Sequence, residues 1–118
     1  MSLVHLNLTI VLIIKEYLIR SKSNRLFESA VGAHIMSYAY AGDYKVYYWR
    51  TKPGCEVDYV LEKKNMIVAI EVKSNSDSGN AGLAEFKARY NPLLALVVGD
   101  GGMKAEDFLS IDPVELFK

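Results

Sequence analysis

Residues 55–73 run through two short stretches of apolar and polar side chains, separated by a polar break at Lys63-Lys64-Asn65. Alternation with period two marks a β-strand with two unlike faces. The spacing predicts a hairpin: one strand over residues 55–62, a tight turn, and a second strand over residues 66–73. Such a pair constrains a chain strongly, because its register decides which face every side chain takes. A slip of one residue turns them all over. Asp58 sits on the first strand, before Tyr59-Val60-Leu61. Glu71 and Lys73 end the second, after Val68-Ala69-Ile70.

Around the hairpin the chain reads as one domain. Its 118 residues suit a single core, and a 51% apolar content supplies one. Residues 25–41 have helical spacing, with Phe27, Val31, His34 and Tyr38 on one stripe, and Gly42-Asp43 ends the helix. Residues 44–50, rich in Tyr, Val and Trp, read as a strand, followed by the turn Lys52-Pro53-Gly54. Residues 74–80 read as a loop. Residues 82–90 form a short amphipathic helix carrying Leu83, Phe86 and Tyr90, stopped at Asn91-Pro92. The unbroken apolar run 93–98 predicts a strand buried on both faces. Gly99-Asp100-Gly101-Gly102 is a turn, and residues 105–110 a last short helix. Three strands joined by short turns should run antiparallel, and a helical crossover makes the fourth parallel. The expected fold class is α/β, a mixed central sheet flanked by helices.

Residues 3–14 are almost wholly apolar, interrupted by His5, Asn7 and Thr9. Alternation from Val4 to Ile14 favours a strand, and residues 15–20 look helical. The apolar run is about 12 residues, short of the roughly 20 that cross a bilayer. It has neither a basic leader nor a small-residue cleavage site, so a signal peptide and a membrane span are both rejected. Residues 1–24 are therefore read as a separate N-terminal segment: the remnant of a larger chain, or an arm buried against a second copy in a homodimer. Cys55 is the only cysteine, which excludes an intrachain disulfide and points to a reducing cytoplasm. The 14 basic and 14 acidic residues cancel, whereas a dedicated nucleic-acid binder usually carries a basic excess.

The acids and the lysine suggest chemistry. If the hairpin turn has two residues, Asp58 pairs with Ala69; if it has four, Asp58 pairs with Glu71. Both registers put Asp58 and Glu71 on one face, which strict alternation extends to Glu56, Val60 and Glu62 on the first strand and to Lys73 on the second. A three-residue turn would separate them. Two close carboxylates repel, and a divalent cation removes that cost. Hard oxygen donors suit magnesium or manganese, which needs only one or two protein carboxylates. Lys73 reaches the same space, where its ammonium can orient a water or neutralise charge on a phosphate. The same three residues also fit a cross-strand salt bridge on a solvated face. Against that, the flanking apolar triplets mark the interior of a sheet, where a charge must be paired or coordinating.

Other residues have plainer readings. His34 belongs to the core stripe of its helix, and Cys55 is a small buried residue. Trp49 with Tyr47 and Tyr48 could stack bases, but aromatics in a strand more often pack. Lys63-Lys64, Lys87 and Arg89 solvate the surface. No G-x-x-x-x-G-K-[ST] phosphate loop occurs, so no ATP site of that kind is expected.

Four segments carry a resemblance: Arg25-Leu26-Phe27-Glu28-Ser29-Ala30-Val31-Gly32-Ala33-His34, Tyr47-Tyr48-Trp49-Arg50, Glu56-Val57-Asp58-Tyr59-Val60 and Ala69-Ile70-Glu71-Val72-Lys73-Ser74. In this order they resemble the PD-(D/E)XK nuclease superfamily. More closely, they resemble the C-terminal domain of unknown function (family 4143) of predicted AAA+-type ATPases. The resemblance spans residues 25 to about 100 and implies a restriction-endonuclease-like αβββαβ core in a domain of residues 25–118. It implies metal-binding acids at Asp58 and Glu71, a catalytic lysine at Lys73 and an extra acid at Glu28. Gly32, on the face of Glu28, would let that helix approach the sheet closely. Val57 stands where the superfamily's name has proline. The implied activity is hydrolysis of DNA phosphodiesters with Mg2+ or Mn2+, and the implied partner is an ATPase portion absent from this chain. The alternative is an inactive nuclease-fold module that binds nucleic acid or protein.

Overall fold

The computed structural model describes residues 2–3, 24–52, 55–73 and 81–118. Strand β1 is only the dipeptide Ser2–Leu3. Helix α1 (Asn24–Gly42) leads into three strands, β2 (Lys45–Lys52), β3 (Cys55–Lys63) and β4 (Met66–Lys73). Helix α2 (Ala81–Tyr90), strand β5 (Leu94–Gly99), helix α3 (Ala105–Leu109) and a closing 3-10 helix (Pro113–Phe117) follow. The sheet order is β1-β2-β3-β4-β5, with β1 paired along the outer edge of β2. β2, β3 and β4 run antiparallel to one another in sequence, and β5 lies parallel to β4 after the α2 crossover. The fold is α/β, with a mixed open sheet of four long strands flanked by helices. The strand and helix read over residues 4–20, like the loop at 74–80, lie outside the described residues. No helix among the described residues is long and apolar enough to cross a membrane.

Local chemistry explains the joints. Asp43 takes the left-handed conformation (φ 54°), and the N–H groups of Asp43 and Tyr44 donate to the carbonyls of Tyr40 and Ala39 at 3.2 and 3.1 Å. Carbonyls left open at the helix end are thereby satisfied. The Lys63 ammonium donates to the Gly42 carbonyl, placing a cation at the negative end of α1. Lys63 is thus a helix cap rather than a solvating surface lysine. The β3–β4 turn is Lys64-Asn65, with φ of 48° and 67°. Two left-handed residues match the twist of a hairpin.

That turn corrects the expected register. It has two residues but begins one position later than the spacing suggests, so Lys63 faces Met66 and Tyr59 faces Ile70. The same register, carried one step further, sets Asp58 across from Glu71, the pairing expected of a four-residue turn.

The sheet separates two apolar clusters. On one face Val31 and Ile35 of α1 pack on Val46, Leu61, Val68, Ile70, Val72 and Val98, with Phe108 and Phe117 closing the end. On the other face Leu83 and Phe86 of α2 cover Trp49, Val57, Val60 and Ala69. Trp49 is a packing residue: it is buried and meets Phe86 edge-on at 5.3 Å. Cys55 is buried there too, its thiol donating to the Glu85 carboxylate.

Two expectations change. The α1 stripe is too narrow, because every residue from Ala30 to Ile35 is buried while Tyr38 is exposed. The helix is covered by the sheet on one side and by α3 and the 3-10 helix on another. His34 donates its Nε2 proton to the Ile111 carbonyl at 2.7 Å and lies against Phe108. Strand β5 is not buried on both faces: it ends the sheet, and of its six residues only Val98 is buried. An apolar run does not say how many neighbours a strand will have.

Gly82 marks the closest approach of α2 to the sheet. A Cβ there would lie 2.1 Å from the Glu56 carbonyl oxygen and 2.5 Å from its nitrogen. Backbone cannot rotate away, so Gly82→Ala must push α2 off β3. Overpacking of this kind costs about 1–3 kcal/mol. Urea denaturation should show a lowered midpoint at unchanged m-value. An unchanged midpoint would mean that this contact does not hold α2 against the sheet.

Candidate functional site

The paired register of β3 and β4 is last seen at Tyr59 and Ile70. At the next step the Val72 N–H donates to Oδ2 of Asp58 at 2.8 Å. A side-chain oxygen thus takes a backbone donor just where the ladder ends, which anchors Asp58 against β4. On the other side of β3 there is a bulge. Val60 faces Tyr47 and Val57 faces Trp49, so Asp58 and Tyr59 together oppose Tyr48 alone. Bulges bend a strand and re-aim its side chains.

The carboxyl groups of Asp58 and Glu71 are hydrogen-bonded to one another. Burial pushes the Glu71 carboxyl up to about 8, helped by the charge of Asp58, by the hydrogen bond between them, and by Glu56 and Glu28. Burial also raises Asp58, while the Val72 N–H and the proton on Glu71 pull it back; Glu28 and Glu56 again push upward. The pair therefore shares one proton, held by Glu71. Tyr59 is raised to about 12 by burial and then by the charges of Asp58 and Glu28.

Glu28 comes from α1, on the opposite face of the sheet from α2. It is an exposed residue, yet its charge acts on Asp58, Tyr59 and Glu71 alike. One turn later Gly32 meets the Tyr59 ring: a Cβ at this position would lie 2.0 Å from the Tyr59 hydroxyl. Residues four apart share a helix face, so Glu28 continues the face that touches Tyr59. The close approach expected of Gly32 is present in the structure.

Three of the four residues singled out from sequence, Glu28, Asp58 and Glu71, therefore lie in one electrostatic field. Lys73 ends β4, half-buried and beside Gly99 of β5, with its carbonyl accepting the Asp100 N–H at 3.0 Å. Alternation keeps it on the Glu71 side. Among the described residues its ammonium makes no ion pair within 4 Å.

Strict alternation puts Glu56 on the face of Val60, and the bulge overturns this. The extra residue shifts the phase of β3, so Val57 joins Val60 in one cluster. Glu56 instead accepts from the Tyr48 hydroxyl at 2.7 Å and pairs with Arg50 at 3.9 Å. Its charge still reaches both acids of the pair. The signal was the three-residue spacing of Val57 and Val60, which strict alternation does not allow.

Among the described residues, no three His, Cys, Asp or Glu side chains stand close enough to hold a metal ion between them. The donors of Asp58 and Glu71 nevertheless suit magnesium or manganese, whose remaining positions are filled by water. Two half-buried carboxyls that need a proton between them are also a place where a cation can take that proton's role.

The shared proton has a consequence for stability. Between the ordinary 4.5 and about 8, the folded chain holds a proton on Glu71 that the unfolded chain has released. Stability must therefore fall as pH rises through that window. Glu71→Gln cannot titrate, so the wild-type urea midpoint should drop relative to that variant across the same window. A constant difference would show that Glu71 ionises normally.

The chain matches no curated protein and no solved structure. Residues 23–114 match the family described as Domain of unknown function (DUF4143), a stretch that includes α1, the whole long-stranded sheet, α2 and α3. The match covers most of the chain and all four of Glu28, Asp58, Glu71 and Lys73, and the protein belongs to the DUF4143 family.

Proposed function

We propose that this domain is a divalent-metal nuclease of the PD-(D/E)XK type, acting on DNA phosphodiesters. The observation that carries the proposal is the Asp58–Glu71 carboxyl pair, hydrogen-bonded where β3 and β4 part and within reach of the Glu28 charge. The order α1-β2-β3-β4-α2-β5 supports a restriction-endonuclease-like αβββαβ core. In this reading the domain works beside an AAA+-type ATPase portion.

Asp58 and Glu71 would hold one Mg2+ or Mn2+ ion, which supplies charge neutralisation at the phosphate and a water of lowered pKa. The Val72 N–H keeps one Asp58 oxygen turned into the site, so the carboxylate is oriented before any ligand arrives. Glu71 would have to be deprotonated, its proton passing to solvent, to serve as a donor. Glu28 would assist by adding negative charge from the helix side. The Lys73 ammonium swings toward Glu71 to orient the attacking water and to offset charge on the phosphate. The water oxygen would bond to phosphorus in line with the leaving oxygen as the P–O bond to that oxygen breaks; the proton released by the water would pass to solvent, from which the leaving oxygen takes one.

A second reading has its own observation. Lys73 forms no ion pair with either acid among the described residues, and the basic and acidic residues of the chain cancel. Both fit a nuclease-fold module that no longer cleaves and binds nucleic acid or protein.

Calorimetry with Mn2+ followed by cleavage assays separates the two. The nuclease reading expects binding at millimolar metal or tighter, lost in Asp58→Ala. It also expects Mg2+-dependent cleavage that falls about 100- to 1,000-fold in Lys73→Ala while metal binding persists. A folded wild type that binds no Mn2+ sinks the nuclease reading. Metal binding without cleavage of single- or double-stranded DNA leaves the module.

A further inference from the structure

We propose that the Gly99–Gly102 turn is a positioning device for Lys73: it holds the Lys73 carbonyl at the end of β4 and so fixes the point from which the ammonium reaches toward the acid pair. The inference rests on the nuclease reading of that lysine.

Lys73 depends on β5 for its place. On the β3 side the paired register of β4 is last seen at Ile70, and beyond it the Val72 N–H goes to the Asp58 carboxylate. On the β5 side the ladder continues, pairing Glu71 with Val97, Val72 with Val98 and Lys73 with Gly99. That unbroken register keeps β4 regular to its end, so Lys73 shares the face of Glu71. Among the described residues no ion pair within 4 Å holds the lysine side chain. Its starting point is therefore set by its backbone, and its backbone is set by β5 and the turn that follows.

The turn grips that backbone at one carbonyl. The Asp100 N–H donates to the Lys73 oxygen at 3.0 Å. Gly99 lies directly against the same group: a Cβ there would lie 1.9 Å from the Lys73 oxygen and 2.9 Å from its carbonyl carbon. The φ of Gly99, 115°, is also one that other residues rarely adopt. Only glycine lets the chain reverse here while still touching Lys73. Nor can the turn recede from the lysine. The Gly99 N–H donates to the Met103 carbonyl at 2.8 Å, the Gly102 N–H to the Gly99 carbonyl at 3.1 Å, and the Met103 N–H to the Val97 carbonyl at 2.9 Å. Met103 in turn packs against the larger apolar cluster, which Phe108 and Phe117 close. The core braces the turn, and the turn braces Lys73.

The placement agrees with a general rule of open α/β sheets, whose ligands bind outside the carboxyl ends of the strands. β4 and β5 are parallel and end together at Lys73 and Gly99. Gly99 and the Asp100 N–H are positioning groups: they act on the phosphate and the attacking water only through the lysine.

The test is a double-mutant cycle read by single-turnover cleavage of DNA with Mg2+, beside Mn2+ calorimetry. Gly99→Ala is expected to lower the cleavage rate by up to about 100-fold, the loss that a displacement of about 1 Å can bring. Its Mn2+ affinity should stay that of the wild type, because Asp58 and Glu71 lie before the clamped carbonyl. In a Lys73→Ala background the same substitution should change the rate little, since the group it positions is already gone. Equal losses with and without Lys73, no loss at all, or a parallel loss of Mn2+ affinity each overturn the proposal. Asp100→Pro removes the N–H donor without adding an atom to Gly99, and serves in the same cycle if the alanine variant does not fold; a smaller loss of the same sign is expected. Should the wild type cleave no DNA, the nuclease reading fails, and the contact is judged by crystal structures of the wild type and the turn variant. Movement of the Lys73 ammonium relative to Glu71 supports it, and an unmoved ammonium overturns it.

Discussion

Like charges on neighbouring strands are tolerated only where something offsets their repulsion. At Asp58 and Glu71 a shared proton and the Val72 N–H do so. The consequence is structural as well as chemical. A backbone donor that would otherwise continue the β3–β4 ladder is spent on a carboxylate. The two strands stop pairing at Tyr59 and Ile70, and the two acids stand just beyond the last pair. Apolar burial on either side, Ile70 and Val72 toward α1 and Ala69 toward α2, holds the strands together up to that point. The acids are therefore half-buried by the core rather than in spite of it.

The elements were legible because period and punctuation agree. Residues 66–73 read as a strand on Met66 to Val72 alone, and Gly42-Asp43 and Asn91-Pro92 stop their helices where the chain itself does. The face of each acid was legible only in part. Asp58 and Glu71 share a face whether the turn has two residues or four, so their convergence survived a misplaced turn. Glu56 did not survive, because a bulge is a relation between two strands and the alternation of one strand cannot reveal it. The same holds for β5. Its apolar run is equally consistent with a central or an edge strand, and only the order of the sheet distinguishes them.

Glu28 illustrates the opposite case. Nothing in the spacing of the hairpin points to it, and helical periodicity places it merely off the apolar stripe. Its charge acts on the acid pair from α1, the helix whose Gly32 faces the Tyr59 ring. The two apolar clusters then have unequal roles. The cluster under α2 is sealed by close backbone contact at Gly82 and by the Trp49–Phe86 edge. The cluster under α1 includes Tyr59 and so couples helix packing to the acids.

Charge distribution bears on how such a site could meet a polyanion. With equal numbers of acidic and basic residues, long-range attraction to DNA is weak. Three acids in one field would add local repulsion as long as they stay uncompensated. On the proposed reading, replacing the shared proton by a divalent cation would reverse the local sign and make the acid pair receptive to phosphate. Affinity for nucleic acid would then depend on the metal first and on Lys73 second, since the lysine is not held near the acids by an ion pair. On the proposed nuclease reading, such a site would be closed to its substrate until the ion is in place, and the same carboxyl pair would govern both binding and chemistry.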